Sequence, residues 1–128
     1  MRETRRIGRL TKRSEFVAAA SGRRFHTERM TVQGLLRRDG TQASEPRLRI
    51  GFTVTKRAGR ATERNRMRRR LRAAALEALR ADTDVAVDVV VIARRPVLGA
   101  DYRALVADLK RAVAAVTKRQ PASRPPSP

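Results

Sequence analysis

The chain has no cysteine. Disulfides and thiolate metal sites are therefore excluded, and a cytoplasmic home is the simple expectation. Its single histidine, His26, cannot hold a zinc ion alone. No apolar run approaches the ~20 residues needed to span a bilayer, so no membrane partner is expected. Residues 1–9 are basic but lack an apolar stretch, so no secretory signal is read there. Catalytic sets are missing as well. No Ser/His/Asp arrangement, paired carboxylates or phosphate-binding glycine fingerprint can be assembled. Asp82, Asp84 and Asp88 are spaced too loosely for a metal site. The chain is expected to carry no catalytic residue and no metal or cofactor of its own.

Acids are scarce, with 12 Asp and Glu against 31 Lys and Arg, a formal charge of +19. A folded domain with that excess repels itself, and a polyanionic partner is the natural explanation. A membrane surface would favour a basic helix backed by bulky apolar residues. Here the basic helix backs mostly onto alanine, which favours nucleic acid. Arginine dominates over lysine, and its planar fork holds phosphate and stacks on bases.

At 128 residues and 14.4 kDa the chain suits one domain with tails. Residues 1–9 read as a loose basic arm, 10–118 as the domain and 119–128 (QPASRPPSP from 120) as a disordered Pro/Ser-rich tail. Thr11 is the expected N-cap of a short helix, with Glu15 in its early part and Gly22 at its end. Residues 24–36 alternate with period two, placing Thr31, Gln33 and Leu35 opposite Met30 and Val32. After a turn-rich stretch, Leu48, Ile50, Phe52 and Val54 alternate with Arg49, Gly51, Thr53 and Thr55. The connection between these two segments suggests an antiparallel hairpin. A helix is predicted from about Ala61 to Arg80, with Met67, Leu71, Ala74, Ala75 and Ala78 on one arc. Leu76 falls on the basic side, against the pattern. Residues 85–93 are a continuous β-branched run, as in a central strand covered on both faces. A last helix over 101–118 aligns Leu105, Leu109, Ala112, Val113 and Val116. One α+β sandwich with about four strands follows.

Residues 56–72, KRAGRATERNRMRRRLR, hold nine basic residues and one acid, Glu63. Lys56, Arg57 and Arg60 lie in a loop that leads into a helix start, where free N–H groups and the dipole attract phosphate. Arg64, Arg68 and Arg72 form one row along the helix, and Arg66 and Arg70 a second beside it. Asn65 can read a base edge or a 2′-hydroxyl. A solvated helix face normally mixes acids with bases at i, i+4. Nearly unmixed arginine needs a polyanion along it.

The stretch RIGFTVTKRAGRATERNRMRRRLR, residues 49–72, resembles the signature of the bacterial ribonuclease P protein family. Arg49, Gly51, Thr53, Val54, Thr55, Lys56, Arg57, Gly59, Arg64, Asn65, Arg66 and Arg69 fall on that pattern. RLTKRSEF (9–16) resembles the family's first helix and IARRP (92–96) the end of its last strand. The resemblance spans about residues 9–116. It implies an α-β-β-β-α-β-α sandwich with a left-handed βαβ crossover, like the second domain of a small-subunit ribosomal protein, with the first short strand near 24–26.

The resemblance further implies an RNA-binding subunit of a ribonucleoprotein. Its catalytic RNA, with Mg²⁺, cuts the 5′ leader from precursor tRNA, while the protein binds the leader and favours the active complex. Carried over, Lys56, Arg57, Arg60, Arg64, Asn65, Arg66, Arg68, Arg69 and Arg70 face the catalytic RNA. Phe16 borders the leader cleft, whose floor by strand parity is Thr31, Gln33, Arg49 and Thr53. Where many members have two further aromatics, this chain has Ala20 and Gln33, which implies weaker stacking and more hydrogen bonding. No protein oligomer is expected. The rival expectation is a ribosome-associated structural protein, which the identity of co-purifying RNA would distinguish.

Overall fold

The computed structural model describes residues 7–37, 47–80 and 86–117. Its elements are β1 (Gly8–Arg9), α1 (Arg13–Ala20), β2 (Arg23–His26), β3 (Met30–Leu36), β4 (Leu48–Thr53), α2 (Ala61–Leu79), β5 (Val87–Ala93) and α3 (Tyr102–Thr117). Short 3₁₀ turns at Lys56–Ala58 and Arg95–Gly99 flank α2 and precede α3.

The sheet has five strands in the order β1-β4-β5-β3-β2. Two expectations are corrected by it. The segments around 30–36 and 48–53 do not form a hairpin, because β5 lies between them, antiparallel to β3 and parallel to β4. The β-branched run Val87–Ala93, apolar on both faces apart from Asp88, takes the central place, where α2 and α3 cover one side and α1 the other. The hairpin that does form joins β2 to β3, with Thr27 Oγ1 accepting the N–H groups of Arg29 and Met30 at 3.1 Å. The second correction concerns the arm over 1–9. Its last two residues form β1, paired in parallel with Arg49 and Ile50 on the outer edge of β4. The tail at 119–128, Asp82 and Asp84 lie outside the described residues.

The apolar stripes close the main core as their spacing requires. Met67, Leu71 and Ala74 of α2 and Leu105, Leu109 and Ala112 of α3 are fully buried against Val32, Leu48, Val87, Val89 and Val91. A smaller cluster joins Leu10, Phe16 and Ala19 to Val90 and Ile92 on the opposite face. Helix α1 starts one residue later than Thr11 suggested. Glu15 at N3 reaches back instead, accepting the N–H groups of Thr11 and Lys12 at 3.0 Å. Glu63 does the same for α2 through the Arg60 N–H at 2.9 Å.

Candidate RNA interface

The helix α2 is held on the sheet by its alanine and leucine face, so its other residues sort by direction. At about 100° per residue, the Arg64/Arg68/Arg72 row and the Arg66/Arg70 row lie on opposite flanks, about 180° apart. They are not adjacent, as the sequence reading had them. Asn65, Arg69 and Leu76 occupy the outward ridge between, and all three are exposed.

Hydrogen bonds divide the arginines further. Arg70 is turned inward, donating from Nη1 and Nη2 to the carbonyl of Ala100, with Nη1 at 2.9 Å. It ties α2 to the turn before α3 and is half-buried, unlike the exposed Arg66 and Arg69. Arg64 donates to the Gly59 carbonyl at 3.0 Å, and Arg68 to Asn65 Oδ1 at 3.0 Å. Arg66, Arg69 and Arg72 are exposed, and none of the α2 arginines has an acid partner among the described residues. Lys56, Arg57 and Arg60 are exposed at the same end.

The one acid in this stretch, Glu63, is clipped by Arg95, which also donates to the Ala58 carbonyl at 2.9 Å. That clip holds the Glu63 carboxyl below the usual carboxylate range, helped by the Arg60 N–H. Gly59, at φ 156°, lies beneath it. A Cβ there would meet Glu63 Oε1 at 2.6 Å and Arg95 Nη1 at 2.9 Å. The Gly59 position thus fits a loop folded tightly under an ion pair. Sequence reading did not find Arg95 as the partner, although its place beside the central strand was visible.

On the opposite sheet face the strands align side chains in rows. One row is Arg49–Asp88–Leu35, the next Gly51–Val90–Gln33, the third Thr53–Ile92–Thr31–His26. The parity reading of Thr31, Gln33, Arg49 and Thr53 on one face is therefore met. They do not form one open floor, however. Helix α1 crosses the middle row, with Ala19 against Val90 and Phe16 against Gly51. A Cβ on Gly51 would lie 2.5 Å from Phe16 Cζ, so the glycine lets the ring approach the strand.

Gln33 is buried under this helix, and Thr31 is buried with its hydroxyl facing Arg94 Nη2 at 3.0 Å and His26 Nδ1 at 2.9 Å. Arg49 is engaged elsewhere. It grips the buried Asp88 through two bonds of 2.9 Å and reaches Glu15 at 3.2 Å. The Asp88 carboxylate holds the Arg49 guanidinium above its ordinary range. What remains accessible beside α1 is the half-buried pair Thr53 and Ile92, with the exposed Arg94 at its end.

A groove of about 530 Å³ opens at the β1 edge, between the start of α1 and the Arg68/Arg72 flank of α2. Phe16, Phe52 and Leu76 are part of its apolar lining. Among the described residues, no three of His, Cys, Asp or Glu gather into a group able to hold a metal ion, and no helix is long and apolar enough to cross a membrane.

A small α+β domain whose helical guanidinium ridge has no acid partner among the described residues carries a charge pattern that attracts polyanions. The comparisons give the family. A model of the ribonuclease P protein family, "Ribonuclease P", matches residues 5–117, and the chain belongs to that family. The ribonuclease P protein component of Gluconacetobacter diazotrophicus is 45% identical over 107 residues, covering 83% of this chain and 88% of the relative. That of Paramagnetospirillum magneticum is 37% identical over 123 residues, covering 94% and 92%. Among solved structures, the Thermotoga maritima RNase P protein superposes with a TM-score of 0.58 at 27% identity, covering 80% of this chain and 96% of that one. The Staphylococcus aureus protein shares the fold, with a TM-score of 0.66 at 22% identity over 88% and 100% of the two chains.

Proposed function

We propose that this chain is the RNA-binding protein subunit of a bacterial ribonuclease P, assisting a catalytic RNA in endonucleolytic removal of the 5′ leader from precursor tRNA. The observation that carries the reading is the α2 ridge. Arg66, Arg69 and Arg72 project from a helix anchored on a buried face, and none of them is paired with an acid among the described residues. Such a row costs helix stability through self-repulsion unless phosphates neutralise it. Lys56, Arg57 and Arg60 extend the row, and Asn65 and Arg68, already joined to each other, offer a mixed donor and acceptor surface to a base or ribose. Arg64 holds the loop to the helix and contributes charge at its entrance.

The leader then runs along the trough beside α1. Phe16 borders it, Thr53 and Ile92 floor it and Arg94 closes one end with a positive charge. Gln33 and Arg49 support the trough from beneath and behind. In this reading the Mg²⁺ that the hydrolysis requires belongs to the catalytic RNA, in a cytoplasmic particle. The protein neutralises phosphate charge, which lowers the metal concentration at which the folded RNA and its substrate come together.

Single-turnover cleavage tests the reading. At physiological Mg²⁺ the catalytic RNA alone is expected to cut precursor tRNA slowly, and adding this protein restores the rate. No enhancement, or equal enhancement by an unrelated basic protein, would remove the proposal.

A further inference from the structure

The groove at the β1 edge presents one side chain that core burial does not explain. Leu76 is 52% exposed in the middle of a basic ridge, although the other leucines of α2 are fully buried. Beside it the groove presents Phe16 and Phe52, and Arg9, Arg68 and Arg72 also line it. No acid is among its described lining residues. Flat apolar surface flanked by guanidinium is the chemistry that takes a nucleobase and its phosphates together. The volume of about 530 Å³ is in the range of small-ligand sites.

We infer that this groove receives an unpaired nucleotide of the same RNA that lies along α2, its base against Leu76 and Phe52 and its phosphates on Arg68 and Arg72. The inference rests on the reading of α2 as the catalytic-RNA face. Two observations select that RNA over other occupants. Arg68 and Arg72 leave the helix that carries Arg66 and Arg69, so a strand following the ridge reaches the groove without crossing the domain. The trough assigned to the leader lies beside α1 on the far sheet face, with the Phe16 ring between. A second copy of this chain is disfavoured, since a self-complementary contact would bring the arginines of one groove against those of the other.

The test uses the full chain, the catalytic RNA and precursor tRNA. Nucleotide flexibility is mapped by 2′-hydroxyl acylation, and affinity is measured by filter binding. The unaltered protein is expected to protect one or two unpaired nucleotides of the catalytic RNA. Leu76→Glu should restore their reactivity while the rest of the footprint persists, and weaken binding about ten-fold, the loss expected for one stacked base. Ala107→Glu, which adds the same charge on an exposed position of α3, should change affinity less than about two-fold. Should Leu76→Glu melt the domain, Arg72→Gln probes the same wall. Unchanged reactivity in a folded groove variant, or reactivity restored in the leader instead, overturns the inference. Failure of the unaltered protein to protect the catalytic RNA anywhere sinks the broader reading of α2 as well.

Discussion

Arg69 and Arg70 are neighbours in sequence and are expected to fail in opposite ways when removed. Arg70 places its guanidinium on the Ala100 carbonyl, joining α2 to the turn that precedes α3. A charged hydrogen bond of this kind contributes about 1.5–3 kcal/mol when buried, and the half-buried position of Arg70 reduces that to about 1–2 kcal/mol. Arg70→Ala should therefore lower the melting temperature by about 4–8 °C, at roughly 4 °C per kcal/mol for a domain of this size. Its RNA affinity at fixed temperature should depend on salt almost as steeply as before. Arg69 is exposed on the ridge and makes no hydrogen bond or ion pair among the described residues. Arg69→Ala should leave the melting temperature within about 1 °C. It should relax the slope of log K against log salt by about 0.7–0.9, the contribution of one neutralised phosphate. Between about 50 and 200 mM salt that amounts to a roughly threefold smaller loss of affinity. Filter binding at four salt concentrations, beside a thermal melt, separates the two. If Arg70→Ala relaxed the slope like Arg69→Ala and melted like the unaltered protein, the division of α2 into ridge and flank would be wrong.

Three further outcomes follow from the packing. Gly51→Ala should cost about 1–3 kcal/mol in a urea melt, because its Cβ would sit 2.5 Å from the Phe16 ring and 3.1 Å from Leu10, whereas Gly99→Ala, with nothing within 4 Å, should not destabilise. Arg49→Met should cost about 2–3 kcal/mol in the same melt, since among the described residues it leaves the buried Asp88 with Arg37 at 3.5 Å alone; a loss below about 0.5 kcal/mol would show that the pair does not anchor the sheet. The carboxyls of Glu15 and Glu63 both lie below their ordinary value of 4.5, Glu15 chiefly through the Lys12 N–H and Glu63 through Arg95. A carboxyl lowered by folding stabilises above its unfolded value and loses that contribution as pH falls through the folded one. Melting temperature should therefore drop as pH falls below about 4.5, and Glu63→Gln should close its gap to the unaltered protein there.

The periodic parts of this fold were legible because each stripe decides its own burial. Met67, Leu71 and Ala78 on α2, and Leu105, Leu109 and Val116 on α3, are buried as their spacing demanded. The parity of Thr31, Gln33, Arg49 and Thr53 was legible for the same reason. Strand pairing was not, since nothing local in Leu48–Thr53 says that β5, arriving after α2, will displace β3 as its neighbour. Nor was β1 legible: two residues are too few for a period, and its hydrogen bonds come entirely from a distant strand. The openness of the leader floor depended on where α1 would lie. That is set by Gly51 and Val90, whose contact with Phe16 and Ala19 is a tertiary fact. Leu76 was the exception that carried information. Its misfit to the stripe was visible in sequence, and the groove beside it gives that misfit a physical setting.

The few acids explain how so basic a chain still folds. Asp88 receives Arg49 and Arg37, and Asp108 receives Arg29 and Arg111. Glu15 adds to Arg49, and Glu63 to Arg95. Each of these acids sits where strands, turns and helices meet, so each neutralises an arginine that the fold itself needs. Asp88 and Asp108 are buried, and a buried charge is costly unless it is paired as these are. No described acid pairs with Arg66, Arg69 or Arg72. Spreading the acids over α2 at i, i+4 would have stabilised that helix and weakened its attraction for phosphate. Concentrating them at the joints does the reverse. The scaffold is locked by local neutralisation, and in the proposed function the repulsion left on the ridge is relieved when an anionic chain binds. Stability and affinity are thus carried by different arginines, which is why substitutions one residue apart on α2 should separate them.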